Sequence, residues 1–434
     1  MARSILWLLL ILGLAAPAEG AGPWPAQADL LPVRVFASHP PAGAPPTIVV
    51  GPGDTLPRLG VRFRLSPLLL ARANGLPGPN APLKIGQILI IPLPARAGGQ
   101  RTAGPDPAIA LAAFPPPAQL NHLGTPRIVL ADYMAWYYPQ VFDGSLTFDL
   151  PASGPYYSSD LATIRRHLDE AQQACLDGFT VHWYGPFDPV TTGNFNRLLQ
   201  ASATTNMHHA LVLLTNMWPG VTEQTLIDSI QYIIDHWANS PYFMRIGGRP
   251  LLLFTDMSRP WNSDGAALAA WTRIRAATDP DHKMIWMAEG LYTLYNPLFD
   301  GLYIYRIDHR DYPQSWLKQP RFANLLRAAE FQYQGSLPIG GLYFADTIAP
   351  GYDDTRAVSA PADYRSPAPP FARDRADGAY YAQTFAVTAQ TNGDFLLVKS
   401  FNEWVEGTAI EPSVTYGNRY LDLTCQYANT YRTR

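Results

Sequence analysis

From residue 127 onward the chain repeats one pattern: a short apolar run, a polar turn, then a stretch whose apolar residues recur every three or four positions. Short aliphatic runs suit strands buried on both faces. A three-to-four spacing suits helices that lay one face on a core. The strand-like runs are Arg127 to Met134, Gly178 to Tyr184, His209 to Thr215, Leu251 to Thr255, Lys283 to Ala288, Gly301 to Arg306, Gly340 to Ala345 and Asp394 to Lys399. Helical stretches separate most of them. Asp160 to Leu176 places Leu161, Ile164, Leu168 and Ala171 on one face, and Glu223 to Trp237 does so with Leu226, Ile230 and Ile233. Alternation of this kind predicts a parallel sheet, because a parallel crossover needs enough chain to hold a helix. Eight such units in about 300 residues predict a closed (β/α)8 barrel rather than an open doubly wound sheet. No Gly-x-Gly-x-x-Gly follows the first run, which argues against a dinucleotide fold.

The first 126 residues obey other rules. They hold 22 of the 42 prolines. Residues 1–20 read as an export signal: Arg3, the apolar run Ile5 to Ala16, and the small-residue site Ala16-Pro17-Ala18. An uncleaved anchor is the alternative. Residues 21–46 form a Pro/Ala-rich leader and 93–126 a Pro-rich linker, both extended by composition. No later run approaches the apolar length of a membrane span. The chain is therefore expected to be secreted, extracellular or cell-wall associated, with no membrane attachment after signal removal. A hydrophobic share of 47% excludes disorder, and a net charge of −3 without basic runs argues against nucleic acid as a partner. Nearly all cations are arginine, with lysine only at 84, 283, 318 and 399, which reads as compositional bias.

Residues 47–92 make a compact insert in this proline-rich region. Thr47 to Val50 reads as a strand, Asp54 as a helix cap, Pro67 to Ala73 as a second short helix, and Leu83 to Pro92 as a closing strand. Gly53-Asp54-Thr55-Leu56, Asn74, Gly86-Gln87 and Leu89 to Pro92 resemble the LysM module in order and spacing. The resemblance implies a small α+β fold that binds a peptidoglycan or chitin-like GlcNAc polymer, with Gly53, Asp54, Thr55, Asn74, Gly86 and Gln87 in the matching positions. A degenerate module kept as a spacer is the bland alternative.

In a (β/α)8 barrel the active site lies where the strands end. Following each run in turn gives Tyr133, Trp136 and Tyr137; His182 and Trp183; Trp218; Asp256; Glu289; Asp308; Asp346; and finally Asn402, Glu403, Trp404, Glu406 and Glu411. Aromatic faces suit the C–H faces of sugar rings, and paired carboxylates suit acid/base work on a glycosidic bond. Any single aromatic could equally pack the barrel mouth. Glu403 and Glu406 stand three residues apart, close enough on a turn for one to raise the other's pKa. Taken alone they could be a surface pair. No His-x-x-x-His or Cys/His cluster suggests a metal, and no cofactor is expected. Cys175 ends the first barrel helix and Cys425 lies in the last, which a closed barrel makes neighbours. They either pair or remain two free buried thiols.

The stretch Ser400-Phe401-Asn402-Glu403-Trp404-Val405-Glu406-Gly407-Thr408-Ala409-Ile410-Glu411-Pro412 resembles the signature of glycoside hydrolase family 99 and its WbsX-type relatives. Tyr133 to Tyr138, Asp177-Gly178-Phe179, Tyr242 to Asp256 and Pro350 to Asp354 also fit. The resemblance implies an endo-acting, metal-free α-mannosidase or α-mannanase that retains configuration. By motif position Glu403 would draw the proton from the sugar 2-OH, which closes on the anomeric carbon. Glu406 would protonate the leaving oxygen and then activate water. Val405 stands where the family often has histidine, which bears on contacts to the leaving sugar. A non-catalytic glycan-binding or polysaccharide-assembly protein on the same barrel is the second reading.

Overall fold

The computed structural model of the chain describes residues 47–90 and 120–434, apart from 52–53, 64–69, 72, 79–80, 216–220, 256, 258–260, 262, 291–294, 297, 309–315, 334–335 and 358–369. The expected signal and leader, most of the linker, and Gly53, Trp218 and Asp256 lie outside the described residues. Two compact units carry the described chain, one with residues 47–90 and one with 120–434.

In the small unit β1 (Thr47–Val49) pairs antiparallel with β2 (Ile88–Ile90). Helix α1 (Leu56–Phe63) and Leu70 and Ala71 close a core around Leu89. The residues singled out for the LysM resemblance hold its turns. Asp54 Oδ2 accepts the Gly51 N–H at 2.7 Å. Thr55 accepts from Arg58 N, and Gln87 Oε1 accepts from Lys84 N at 3.1 Å. Gly86 has φ +85°, a left-handed turn that suits glycine alone. Asn74 donates to the Leu70 and Ile90 carbonyls and accepts from Ile90 N, tying helix end to closing strand.

In the large unit eight parallel strands close on themselves. They are β3 (Ile128–Met134), β4 (Gly178–Trp183), β5 (Ala210–Leu213), β7 (Arg249–Phe254), β8 (Ile285–Glu289), β9 (Gly301–Tyr303), β10 (Tyr343–Ile348) and β13 (Phe395–Val398). A two-residue strand, β6 (Arg245–Ile246), hairpins back onto β7, and β11 (Tyr352–Asp353) pairs antiparallel with β12 (Ala372–Arg373). Closure comes from β5 pairing with β7 at one side and β13 lying between β10 and β3 at the other. Outside run α2 (Leu161–Gln173), α3 (Pro189–Ala201), α4 (Glu223–His236), α5 (Asp264–Thr278), α6 (Gln319–Gln332), α7 (Ala379–Val387) and α8 (Arg419–Arg432). Their starts are set locally. Asp160, Asp188, Thr222 and Ser263 cap α2, α3, α4 and α5 by accepting first-turn N–H groups, and Pro189 fills the first position of α3.

Strand alternation sorts the side chains into two cores. Leu130, Ala210, Val212, Leu251, Leu253, Ile285, Met287, Tyr343, Phe395 and Leu397 fill the barrel interior. Val129, Tyr133, Phe179, Trp183, Leu211, Phe254, Trp286 and Leu396 face the helices. Gly178 is required by close approach: a Cβ there would lie 1.5 Å from the His208 carbonyl oxygen.

Two expectations change, and an open alternative, the state of the two cysteines, is resolved. The seventh strand runs to Ile348, so Asp346 lies within it and not beyond its end. Burial pushes its carboxyl up to about 7. Residues 120–126 belong to the barrel unit and not to the linker: Asn121 N donates to Thr125 O, and His122 Nδ1 meets Asp394 Oδ1 at 2.5 Å. Cys175 and Cys425 are joined in a disulfide, with Cα atoms 4.7 Å apart across 250 residues. The bond links α8 to the end of α2, and Arg432 reinforces it by donating to Cys175 O and Asp177 Oδ2.

Candidate active site

Inward-facing positions at the carboxyl ends of the strands converge on one polar pocket. Asp132 on β3 accepts the Thr180 hydroxyl at 2.7 Å, and its carboxylate lies 3.5 Å from His182 Nε2. Glu289 ends β8 and is buried. Beyond β9 and β13 come Tyr305 and Lys399, and the segment 400–411 folds over them.

That segment is stitched to the barrel by its own residues. Phe401 N donates to Asp132 O at 2.8 Å. Asn402 clamps the end of β3, accepting from Met134 N at 2.7 Å and donating to Met134 O at 3.1 Å. Ser400 Oγ accepts the Glu403 N–H, and Thr408 N donates to Glu403 O. Glu411 receives Trp404 Nε1–H at 2.9 Å and Tyr156 O–H at 3.0 Å. Gly407 turns the chain at φ +64° against Asp353. The effect is to present Glu403 and Glu406 from one tight turn.

The two carboxyls have different surroundings. Glu403 is 6% exposed. Its Oε1 accepts from Tyr137 O–H at 3.0 Å and from Val405 N at 3.1 Å. Burial first, and then the charge of Glu406, push its pKa up to about 8, against the donors Tyr137, Val405 and Glu406 N–H. Glu406 keeps 30% of its side chain exposed and faces a buried cation, Lys399 Nζ, 3.1 Å from its Oε2. Lys399 also lies 3.4 Å from Asp308 Oδ2 and over the rings of Tyr305 and Tyr352. Burial alone would lower the lysine's pKa, but Glu406 and Asp308 more than offset it and hold the ammonium above its ordinary value. Asp308 is pushed up by burial, against Lys399 and the Tyr380 hydroxyl that it accepts.

The expected sugar-facing residues divide. Tyr137 touches Glu403 directly, and Trp136 stacks on it with ring centroids 4.3 Å apart. His182 and Glu289 face the pocket. Tyr133 and Trp183 do not, which corrects the expectation that they line the rim. Both lie inside strands, one register step out of phase with Asp132 and His182, and so point at the helices. Tyr133 stacks on Phe179 and bonds His167 Nδ1 at 3.0 Å, and Trp183 Nε1 donates to Thr192. Asn402, Trp404 and Glu411 are buried and act as braces for the turn rather than as surfaces for sugar. Lys399, Asp132 and Tyr305 are pocket residues that sequence reasoning missed.

Behind the turn, His167, Glu170 and Glu411 bring potential ligand atoms within 4.8 Å of one another. The Arg166 guanidinium reaches both carboxylates, at 3.5 Å and 3.8 Å, so the positive charge there is supplied by the chain. Two donors already occupy Glu411 Oε2. The donor set fits a brace better than a metal centre.

The sequence profile of glycosyl hydrolase family 99 matches residues 119–434, the whole barrel. The chain belongs to this family. A LysM domain profile matches residues 48–92. Among curated relatives, the rat glycoprotein endo-alpha-1,2-mannosidase is 24% identical over 292 residues, covering 63% of this chain and 59% of the relative. A zebrafish glycoprotein endo-alpha-1,2-mannosidase-like protein is 26% identical over 306 residues, 63% of this chain and 61% of its own length. The chain thus spans about three fifths of these relatives. In fold, the family 99 endo-alpha-mannosidase of Bacteroides thetaiotaomicron matches with TM-score 0.57 at 21% identity, over 70% of this chain and 97% of that one. The family 99 domain here therefore begins with the turn at 120–126 and carries its Glu403 and Glu406 after its eighth barrel strand.

Proposed function

We propose that this chain is an exported glycoside hydrolase, endo-acting and retaining, on α-mannoside-type or related cell-surface glycans. Its LysM module would hold it on cell-wall glycan and so raise the local concentration of polymeric substrate. The observation that carries the proposal is the carboxyl pair at the barrel mouth, one member buried and hydrogen-bonded to Tyr137, the other partly exposed and beside a cation. The leader sequence and the disulfide support export, since such bonds persist in oxidising compartments.

The chemistry balances with this pair alone. Glu403 takes the proton of the sugar 2-OH, whose oxygen forms a bond to the anomeric carbon while the bond to the leaving oxygen breaks. Glu406 gives its proton to that oxygen. Glu406 then takes a proton from water, the water oxygen bonds to the anomeric carbon as the bond from that carbon to the 2-oxygen breaks, and the 2-oxygen recovers its proton from Glu403. Two inversions give net retention. The starting state needs the proton on Glu406. Moving it there removes the Glu406 charge that opposes ionisation of Glu403, and the three donors at Glu403 then favour its anion.

Purified full-length protein, incubated with a panel of α-mannans, β-mannans and peptidoglycan, tests the reading. Internal cleavage of an α-linked glycan is expected. Binding without cleavage across the panel would favour the non-catalytic glycan-binding reading.

A further inference from the structure

Lys399 is the one buried lysine of the chain's four and sits where a barrel interior is ordinarily apolar. Its side chain is fully buried, and its ammonium is shared between Glu406 and Asp308 under a roof of two aromatic rings. A buried charge of this kind is costly unless paired, and a well-packed apolar residue would serve stability at least as well. What the lysine adds is a fixed positive charge 3.1 Å from one reacting oxygen. We propose that Lys399 is a positioning residue that fixes the Glu406 carboxylate and stabilises its ionised form, the form it must take once the leaving oxygen has been protonated. The inference rests on the reading of Glu403 and Glu406 as the reacting pair.

The charge pattern of the pocket matches that intermediate stage. Burial and the Glu406 charge push the Glu403 carboxyl up to about 8, and Glu406 lies 3.1 Å from the Lys399 ammonium. An electrostatic partner that is already in place where charge develops costs no reorganisation during the step. The other groups around Glu406 and Lys399 are Tyr305, whose hydroxyl donates to Glu406 Oε2 at 3.4 Å, Tyr352, Asp354 and Arg306. Tyr305 and Tyr352 are neutral donors, since burial and the nearby carboxylates drive both hydroxyls far above their ordinary values. Arg306 repels the lysine proton, and Asp308 and Glu406 retain it. Lys399 Nζ lies within ion-pair distance of Glu406.

The test needs no turnover. Full-length protein labelled with ¹³C at the glutamate carboxyl is titrated by NMR, with Glu406→Gln and Glu403→Gln assigning the two resonances. Glu406 is expected to remain ionised at pH values where Glu403 is protonated. In Lys399→Met, Glu406 should titrate about one pH unit or more higher. Lys399→Arg, which keeps the charge, should restore the wild-type midpoint, and Lys399→Gln replaces Met should that variant not fold. Where hydrolysis is measurable, Lys399→Met should lower kcat about tenfold or more with KM little changed, and move the alkaline limb of kcat/KM upward. Protonation of Glu406 above the midpoint of Glu403 in the wild type would overturn the inference. So would a folded Lys399→Met with an unmoved Glu406 midpoint. Absence of hydrolysis in the wild type would instead refute the glycosidase reading and leave the titration result in force.

Discussion

At the scale of single residues, function in this barrel turns on three groups within one pocket: Glu403, Glu406 and Lys399. Glu403→Gln and Glu406→Gln should each abolish hydrolysis, by about 10²-fold or more, because each removes a proton acceptor or donor from the step. Circular dichroism should find both variants folded. The pair should titrate as a unit. Below the first loss no base exists, and above the second, near pH 8 by the position of Glu403, no acid remains. The kcat/KM profile should therefore be bell-shaped with its alkaline limb near pH 8, and a profile flat through that range would contradict the coupling. Tyr137→Phe removes a donor that favours the Glu403 anion, so it should shift that limb upward. The motif around Glu403 and Glu406 was legible in sequence because all its parts are adjacent in the chain. Lys399 was not, because its meaning lies in Asp308 and Tyr305, about 90 residues upstream.

At the scale of elements, the alternation of apolar runs and amphipathic stretches was enough to place all eight barrel strands. What it left unsettled was which way residues at strand ends point. The expected strands already contain Tyr133 and Trp183, and they are read as rim residues only if side-chain alternation along the strand is not applied. Hydrogen bonding carries β3 to Met134 and β4 to Trp183, and alternation then turns both side chains outward. Asp346 lies inside its strand for a different reason: hydrogen bonding carries β10 three residues past Ala345, to Ile348. The helix caps, by contrast, are local and hold as sequence signals. Asp188 accepts from both Val190 N and Thr191 N, so Asp188→Ala should cost about 1 kcal/mol in chemical denaturation. The disulfide joins elements 250 residues apart. Cys175→Ser with Cys425→Ser should lower stability by about 2–5 kcal/mol, and an unchanged melting temperature would deny it a structural role.

At the scale of the whole molecule, the chain pairs a small glycan-module fold with a family 99 barrel. Low charge and an aromatic, acidic pocket suit a polymeric sugar better than a polyanion. If the small unit anchors the enzyme, full-length protein should co-sediment with insoluble peptidoglycan or chitin and be released by soluble GlcNAc oligomers. Recovery wholly in the supernatant would limit the module to a spacer. The central claim concerns the barrel, and the anomer of the first product tests it most directly. Proton NMR of an α-mannan digest by the full-length protein, recorded within the first minutes, should find the α-hemiacetal appearing before mutarotation and no product from Glu403→Gln. A β-hemiacetal appearing first, or full activity in that variant, would contradict the account.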